Sequence, residues 1–189
     1  MKLYKLTDAL NQTRGATQWG PGVEHTADGK GEMCSEHFLH AYTDPLLAVC
    51  MDPAHCDFGR AGRLWLADGD APANDGTKVG CTRLRTVRRI PKPRKPARAV
   101  LTRWAIYCAK HVTTDARWLW WAAWWLNGKD RTASAASAAY ASASASAASA
   151  AYYAAEVDAS GKTFDAAKLL HKAVRDERKY KEAKRCSLK

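Results

Sequence analysis

Apolar and polar positions alternate over short distances in the first ninety residues and recur at helical distances after that. Leu3-Tyr4-Lys5-Leu6, ended by Thr7-Asp8, is a short strand pattern; Arg63-Leu64-Trp65-Leu66-Ala67 and residues 78–81 and 84–90 read as further strands. Gly15, Gly20-Pro21-Gly22 and Gly29-Lys30-Gly31 punctuate the stretch between them into short strands and turns. Asp44-Pro45 has the form of a helix start, with Asp as N-cap, Pro at the first helical position, and Leu46, Leu47, Val49 and Cys50 on the apolar side. In 84–90 the apolar Leu84, Val87 and Ile90 stand among arginines, which predicts an edge strand with one arginine-lined face. Residues 1–90 thus predict a small β-rich α+β domain.

Pro91, Pro93 and Pro96, interleaved with Lys92, Arg94 and Lys95, predict a stiff extended linker over residues 91–98. The remainder, residues 99–189, predicts a helical half. Leu101, Trp104, Ala105 and Cys108 recur at helical spacing in residues 99–112, and a second helix over 116–126 ends at Asn127-Gly128. In that second helix Trp118, Trp121 and Trp125 share one face and Trp120 and Trp124 another, a pattern that predicts cover on both sides. Residues 132–155 hold 14 Ala, 6 Ser, 3 Tyr and 1 Thr, with no charge, Gly or Pro. One helix through residue 159 would span roughly 40 Å at ~1.5 Å per residue. So little side chain builds no core of its own, so this long Ala/Ser-rich helix is expected to lie against a partner surface, the indoles being the available one. Tyr140 and Tyr152 would anchor it. Thr163 is placed as the cap of a final helix with the stripe Phe164, Ala167, Leu170, His171 and Val174, and charged residues 175–185 read as solvated.

Charge divides the chain further. Residues 1–81 carry 7 basic and 11 acidic side chains, residues 82–117 carry 11 and 1, and residues 118–189 carry 12 and 7, for the total of +11. The middle stretch is the footprint that a phosphate backbone or an acidic protein would meet. No run reaches the roughly 20 apolar residues of a membrane helix. The sequence reads as cytoplasmic, and its six cysteines as thiols or ligands more than disulfides.

Several groupings carry candidate chemistry. Cys34, His37 and His40, with Cys50, His55 and Cys56 following, supply the thiolate and imidazole donors that zinc takes, in a spacing that matches no common zinc module. Cys34 with His40, or Cys50 with His55, are candidate nucleophile and base pairs. Trp19-Gly20-Pro21-Gly22-Val23-Glu24-His25 puts an aromatic platform, glycines and an imidazole together, as a nucleotide pocket would, although a plain turn explains the same residues. The basic segment with tryptophans as stacking surfaces is a nucleic-acid candidate.

Tyr4-Lys5-Leu6-Thr7-Asp8, Thr17-Gln18-Trp19-Gly20-Pro21-Gly22-Val23, Cys34-Ser35, His40-Ala41-Tyr42, Pro45-Leu46-Leu47-Ala48-Val49 and Arg63-Leu64-Trp65 resemble an uncharacterised domain of bacteriophage and prophage proteins. Such proteins often carry an alanine-rich tail after a Trp-rich segment ending in Gly-Lys-Asp-Arg, as Gly128-Lys129-Asp130-Arg131 does here. The resemblance covers about residues 1–131 and implies a phage accessory protein in the host cytoplasm, with no activity attached. The layout of a Cys, an aromatic, a His and Pro-Leu before a strand is loosely similar to the core of ADP-ribosyltransferase-like folds, which implies NAD-dependent transfer. Leu66 stands where those enzymes' relatives tend to have an acid, and His37 where a glycine is expected. Both departures count against catalysis, and His37 against a metal site.

The expectation is therefore a non-enzymatic binder of a host protein or nucleotide-like ligand in phage–host conflict, with no obligatory cofactor. Trp19, His25, His40 and Tyr42 would contact the ligand, and Arg85, Arg88, Arg89, Lys92, Arg94 and Lys95 an acidic partner. Trp118, Trp121, Trp125, Tyr140 and Tyr152 would pack the helical half or mediate self-association. The alternatives are an ADP-ribosyltransferase-type enzyme and a nucleic-acid-binding protein using residues 83–103.

Overall fold

Leu3, Leu6 and Thr7 are buried along the first strand, β1 (Lys2–Thr7), which opens a sheet built mostly from residues some sixty positions away. A computed structural model describes residues 1–52, 55–111, 113–132 and 164–187 and divides the chain into two compact units, Met1–Lys95 and Pro96–Lys189. The fold is α+β, strands gathered in the first unit and helices in the second.

In the first unit the strands follow as β2 (Gln12–Thr13), β3 (Thr17–Gln18), β4 (Glu24–Thr26), β5 (Leu39–Ala41), β6 (Arg63–Gly69), β7 (Ala73–Asn74), β8 (Val79–Cys81) and β9 (Arg83–Ile90), with helix α1 (Pro45–Met51) between β5 and β6. They form an antiparallel sheet in the order β1-β6-β9-β4, a second in the order β5-β8-β7, and the hairpin β2-β3. A bridge between Tyr4 and Tyr42 ties the two larger sheets together. Their inner faces close on one core of Leu3, Trp19, Ala41, Ala67, Val79, Cys81 and Leu84. Helix α1 starts as its sequence dictates: the Asp44 carboxylate accepts from the backbone N–H of Leu46 and of Leu47, both at 2.8 Å.

The sheet order corrects one expectation. Strand β9 is not an edge strand along its length; it runs between β6 and β4. Glu24, His25 and Thr26 pair with Arg85, Leu84 and Arg83, and Gly22 and Val23 extend that pairing to Thr86. On its other side β9 pairs with β6 through a bulge, in which Ala67 faces Thr86 and Leu66 faces Arg88, leaving Val87 as the extra residue. The bulge redistributes the arginines. Arg85 and Arg88 oppose Asp68 and Leu66 on one face, which Arg83 shares through its bond to Asp68, whereas Arg89 opposes Trp65 on the other; the expected arginine-lined face is formed by three of the four arginines of β9.

The second unit holds α2 (Arg98–Ala109), α3 (Ala116–Leu126) and α4 (Ala166–Cys186). Asp115 caps α3 by accepting from the N–H groups of Arg117 and Trp118. Gly128, at φ 78°, ends it: its N–H bonds to the Trp125 carbonyl and that of Lys129 to the Trp124 carbonyl, the paired bonds of a Schellman stop. Helix α4 is capped by Asp165, and its buried residues are Ala166, Leu170, Ala173 and Glu177, one stripe at helical spacing. The expected stripe through Phe164, Ala167, His171 and Val174 is thus displaced by one position, with Leu170 common to both. The alanines let α4 lie close to α2, where the Trp104 indole N–H reaches the Ala166 carbonyl at 3.0 Å. The Ala/Ser-rich tract, with Tyr140, Tyr152 and Thr163, lies outside the described residues. Among the described residues no helix is long and apolar enough to cross a membrane.

Candidate functional site

Trp19, expected as a ligand platform, is 1 % exposed and sits in the core, its indole N–H donating to Thr13 Oγ1 at 2.9 Å. The glycines after it make a turn. Val23 N–H bonds to the Gly20 carbonyl at 3.1 Å with Gly22 at φ 78°, the geometry of a type II turn with Pro21 at its second position. His25 packs edge-on against Trp19, ring centres 4.7 Å apart, and its Nε2 lies 2.8 Å from the Gln18 carbonyl. His40 places its Nε2 2.5 Å from the Met33 carbonyl, and the buried Tyr42 hydroxyl meets His55 Nδ1 at 3.1 Å. Of the four expected contact residues, Trp19 and His25 are in contact, while His40 and Tyr42 are engaged separately, with Met33 and His55.

Lys5 links Trp19 to His40. Its Nζ donates to the His40 carbonyl at 2.7 Å and stands 4.8 Å from the centre of the Trp19 ring. Burial drives the ammonium down to about 8 from 10.5, against the opposing influence of the Cys81 and Cys56 sulfurs. The same burial, with the positive charges of Lys5 and Lys78, lowers His40, while the Met33 carbonyl works the other way. Strand alternation carries the signal for Lys5, since it shares an inward face with Leu3, two positions earlier. A second buried charge sits beside the sheet. Asp75 accepts from Lys78 Nζ at 2.6 Å and from the Thr77 hydroxyl at 2.6 Å. Burial acts to raise its carboxyl, but these bonds and the Lys78 charge hold it below the usual range.

The thiol and imidazole candidates do not converge. Cys34 is exposed, His37 Nδ1 is engaged with Asp28 Oδ1 at 2.7 Å, and His40 turns to the Met33 carbonyl. Among the described residues no group of three or more His, Cys, Asp or Glu side chains has metal-binding geometry. Cys50 is buried in α1, and burial pushes its thiol up to about 12, with Lys95 pulling the other way. Such a thiol stays protonated at neutral pH, the reverse of an activated nucleophile.

The basic segment is better exposed. Arg83 is bound by Asp68 and Glu24, each at 3.1 Å. Lys92 Nζ donates to the Gly59 and Arg60 carbonyls and Lys95 Nζ to that of Asp52, which pins the proline-rich stretch onto the first unit. The side chains of Arg85, Arg88, Arg89 and Arg94 are exposed, and their guanidinium groups carry no ion pair or hydrogen bond with any described residue. Beside them, an open cleft of about 280 Å3 lies between the start of β6 and the end of β9, lined by residues 62–64 and 89–92.

In the second unit Trp118, Trp121 and Trp125 face inward with Ile106 and Ala122, as their spacing predicts. Among the described residues Trp120 and Trp124, on the other face, have no such cover: they are 59 % and 38 % exposed, their rings 4.3 Å apart. Glu177, expected among solvated residues, is 2 % exposed instead. It accepts from Arg103 and from Arg131, and the Arg131 guanidinium lies between the rings of Tyr180 and Trp125, 3.6 and 4.4 Å from their centres. The two cations make burial of this carboxylate tolerable, which no local pattern announces.

The chain matches no protein-family model, no curated protein and no solved structure.

Proposed function

We propose that this is a non-enzymatic binding protein whose first unit engages an acidic partner protein through β9 and the basic segment that follows it. The observation that carries the reading is the set of exposed guanidinium groups of Arg85, Arg88, Arg89 and Arg94, unpaired among the described residues. Elsewhere on the strand, Arg83 is neutralised by two carboxylates, so the free charge is concentrated toward the strand's end. The sequence resemblance to phage proteins makes the partner a host protein, and the host cytoplasm the place of encounter.

A single-stranded nucleic acid would meet the same charges, but it also asks for aromatic stacking surfaces. The exposed large apolar side chains of the described part of the first unit are Met1, Leu10 and Val87, none of them aromatic. Burial of Trp19 and Tyr42 likewise favours a protein partner over a nucleotide-like ligand in that region. For ADP-ribosyl transfer the required carboxylate is missing from its expected place, because Leu66 stands there. In the second unit, the exposed Trp120 and Trp124 offer an apolar face for docking or self-association.

The test is a pull-down from bacterial lysate, nuclease-treated and untreated, with the full chain and with its Arg85→Ala/Arg88→Ala/Arg89→Ala variant as baits. The expected result is an acidic protein that survives nuclease, is lost with the variant and rebinds as a purified protein. Capture that disappears with nuclease would replace the reading with nucleic-acid binding. NAD-dependent labelling of lysate proteins would replace it with the enzyme.

A further inference from the structure

We propose that residues 87–90 of β9 take up an extended acidic segment of the partner as an added strand of the sheet. The proposal rests on the reading of this region as the site for an acidic protein and specifies how that protein is held. The type II turn at Gly20-Pro21-Gly22-Val23 folds the chain away from β9, so backbone pairing on that side ends at Thr86. Beyond it, no described residue pairs with that edge of β9, while β6 still holds the opposite edge through Leu64, Trp65 and Leu66. A sheet edge of this kind presents backbone N–H and C=O groups that an extended chain satisfies directly.

Charge decides which chain is accepted. Arg88 and Arg89, successive residues after the bulge at Val87, lie on opposite faces of the sheet, so an incoming strand is flanked by a guanidinium on either side. Acidic side chains of an extended segment also alternate between faces, and can reach both. A second copy of this same edge would set arginine against arginine, and like charges opposed across strands are destabilising. Arginines on an edge are also a common guard against unwanted pairing; a guard of one sign rejects its own kind and admits the opposite.

The experiment is a titration of the full-length protein with a labelled ten-residue peptide of alternating glutamate and valine, followed by fluorescence anisotropy. A second peptide of identical sequence carries N-methyl groups on its central backbone nitrogens, which removes its N–H donors and leaves its charge unchanged. The expected outcome is salt-sensitive binding of the first peptide and at least tenfold weaker binding of the second. Equal binding of the two would overturn strand addition and leave the acidic-partner reading standing. Binding of neither would overturn both. A folded Arg88→Glu/Arg89→Glu variant, checked by circular dichroism, is expected to lose the glutamate peptide and to bind its lysine-valine counterpart; unchanged preference would also overturn the proposal.

Discussion

Arg103 and Glu177, 74 positions apart in the sequence, meet as a buried ion pair in which Nε and Nη2 of the arginine both donate to Oε2 of the glutamate, at 3.1 and 3.0 Å. Arg131 Nη1 binds the same carboxylate at 2.9 Å. Removing the one anion leaves two guanidinium groups uncompensated in a mostly dry site. Glu177→Gln is therefore expected to destabilise the second unit by about 3 kcal/mol or more, in the range found when one partner of a buried pair is removed. Urea unfolding followed by far-ultraviolet circular dichroism measures it. A loss below about 1 kcal/mol would show that the pair adds little.

Lys5 makes stability depend on alkaline pH. Below about pH 8 both folded and unfolded chains carry the ammonium charge, so the folded state bears the full cost of burying it. Between about pH 8 and 10.5 the unfolded chain keeps the proton that the folded chain has released, so stability rises with pH. Relative to Lys5→Met, the wild-type protein is expected to gain on the order of 3 kcal/mol across that window, from ~1.4 kcal/mol per pH unit of displacement. Denaturation midpoints of both proteins at pH 7, 8.5 and 10 supply the comparison. A constant difference would show an amine with an ordinary affinity for its proton.

Gly128 and Gly15 form a matched pair for substitution. Both have positive φ, 78° and 72°, so alanine at either carries a backbone cost of about 1 kcal/mol. At Gly15 a Cβ meets nothing within 4 Å, but at Gly128 it would lie 2.5 Å from the Tyr180 hydroxyl. Gly128→Ala is expected to cost about 2–3 kcal/mol, because Tyr180 must move off the Arg131 guanidinium, and Gly15→Ala about 1. Equal losses in thermal unfolding would show that Tyr180 yields freely.

Two arginines on one strand are expected to behave differently. The guanidinium of Arg83 is held by Asp68 and Glu24, whereas that of Arg88 has no partner among the described residues. Arg88→Ala should weaken binding of the glutamate-valine peptide several-fold at low salt and flatten its salt dependence, while Arg83→Ala leaves affinity within about twofold. The reverse order would move the binding surface toward β4.

What the sequence discloses depends on how far each signal reaches. The 116–126 helix is legible end to end because its start at Asp115, its inward indoles and its stop at Asn127-Gly128 are all written within a few residues. Helix α1 is legible through Asp44-Pro45 for the same reason. Glu177 is not, because the arginines that neutralise it lie 46 and 74 positions away and its neighbours are charged and exposed. The place of β9 inside the sheet is hidden too, since it depends on pairing with residues 22–26, far behind it in the chain. In the candidate surface, the arginines are visible from composition. Which of them are free, and which faces they occupy, follows only from Asp68, Glu24 and the bulge at Val87.

The pair Trp120 and Trp124 gives the molecule a natural optical label. Of its eight indoles, these two project into water with rings close enough for their excited states to couple, while Trp19, Trp65, Trp104 and Trp125 are shielded. Acrylamide should therefore quench a red-shifted fraction of the emission first. Whatever settles on that side of α3 will announce itself by protecting that fraction, with no dye attached.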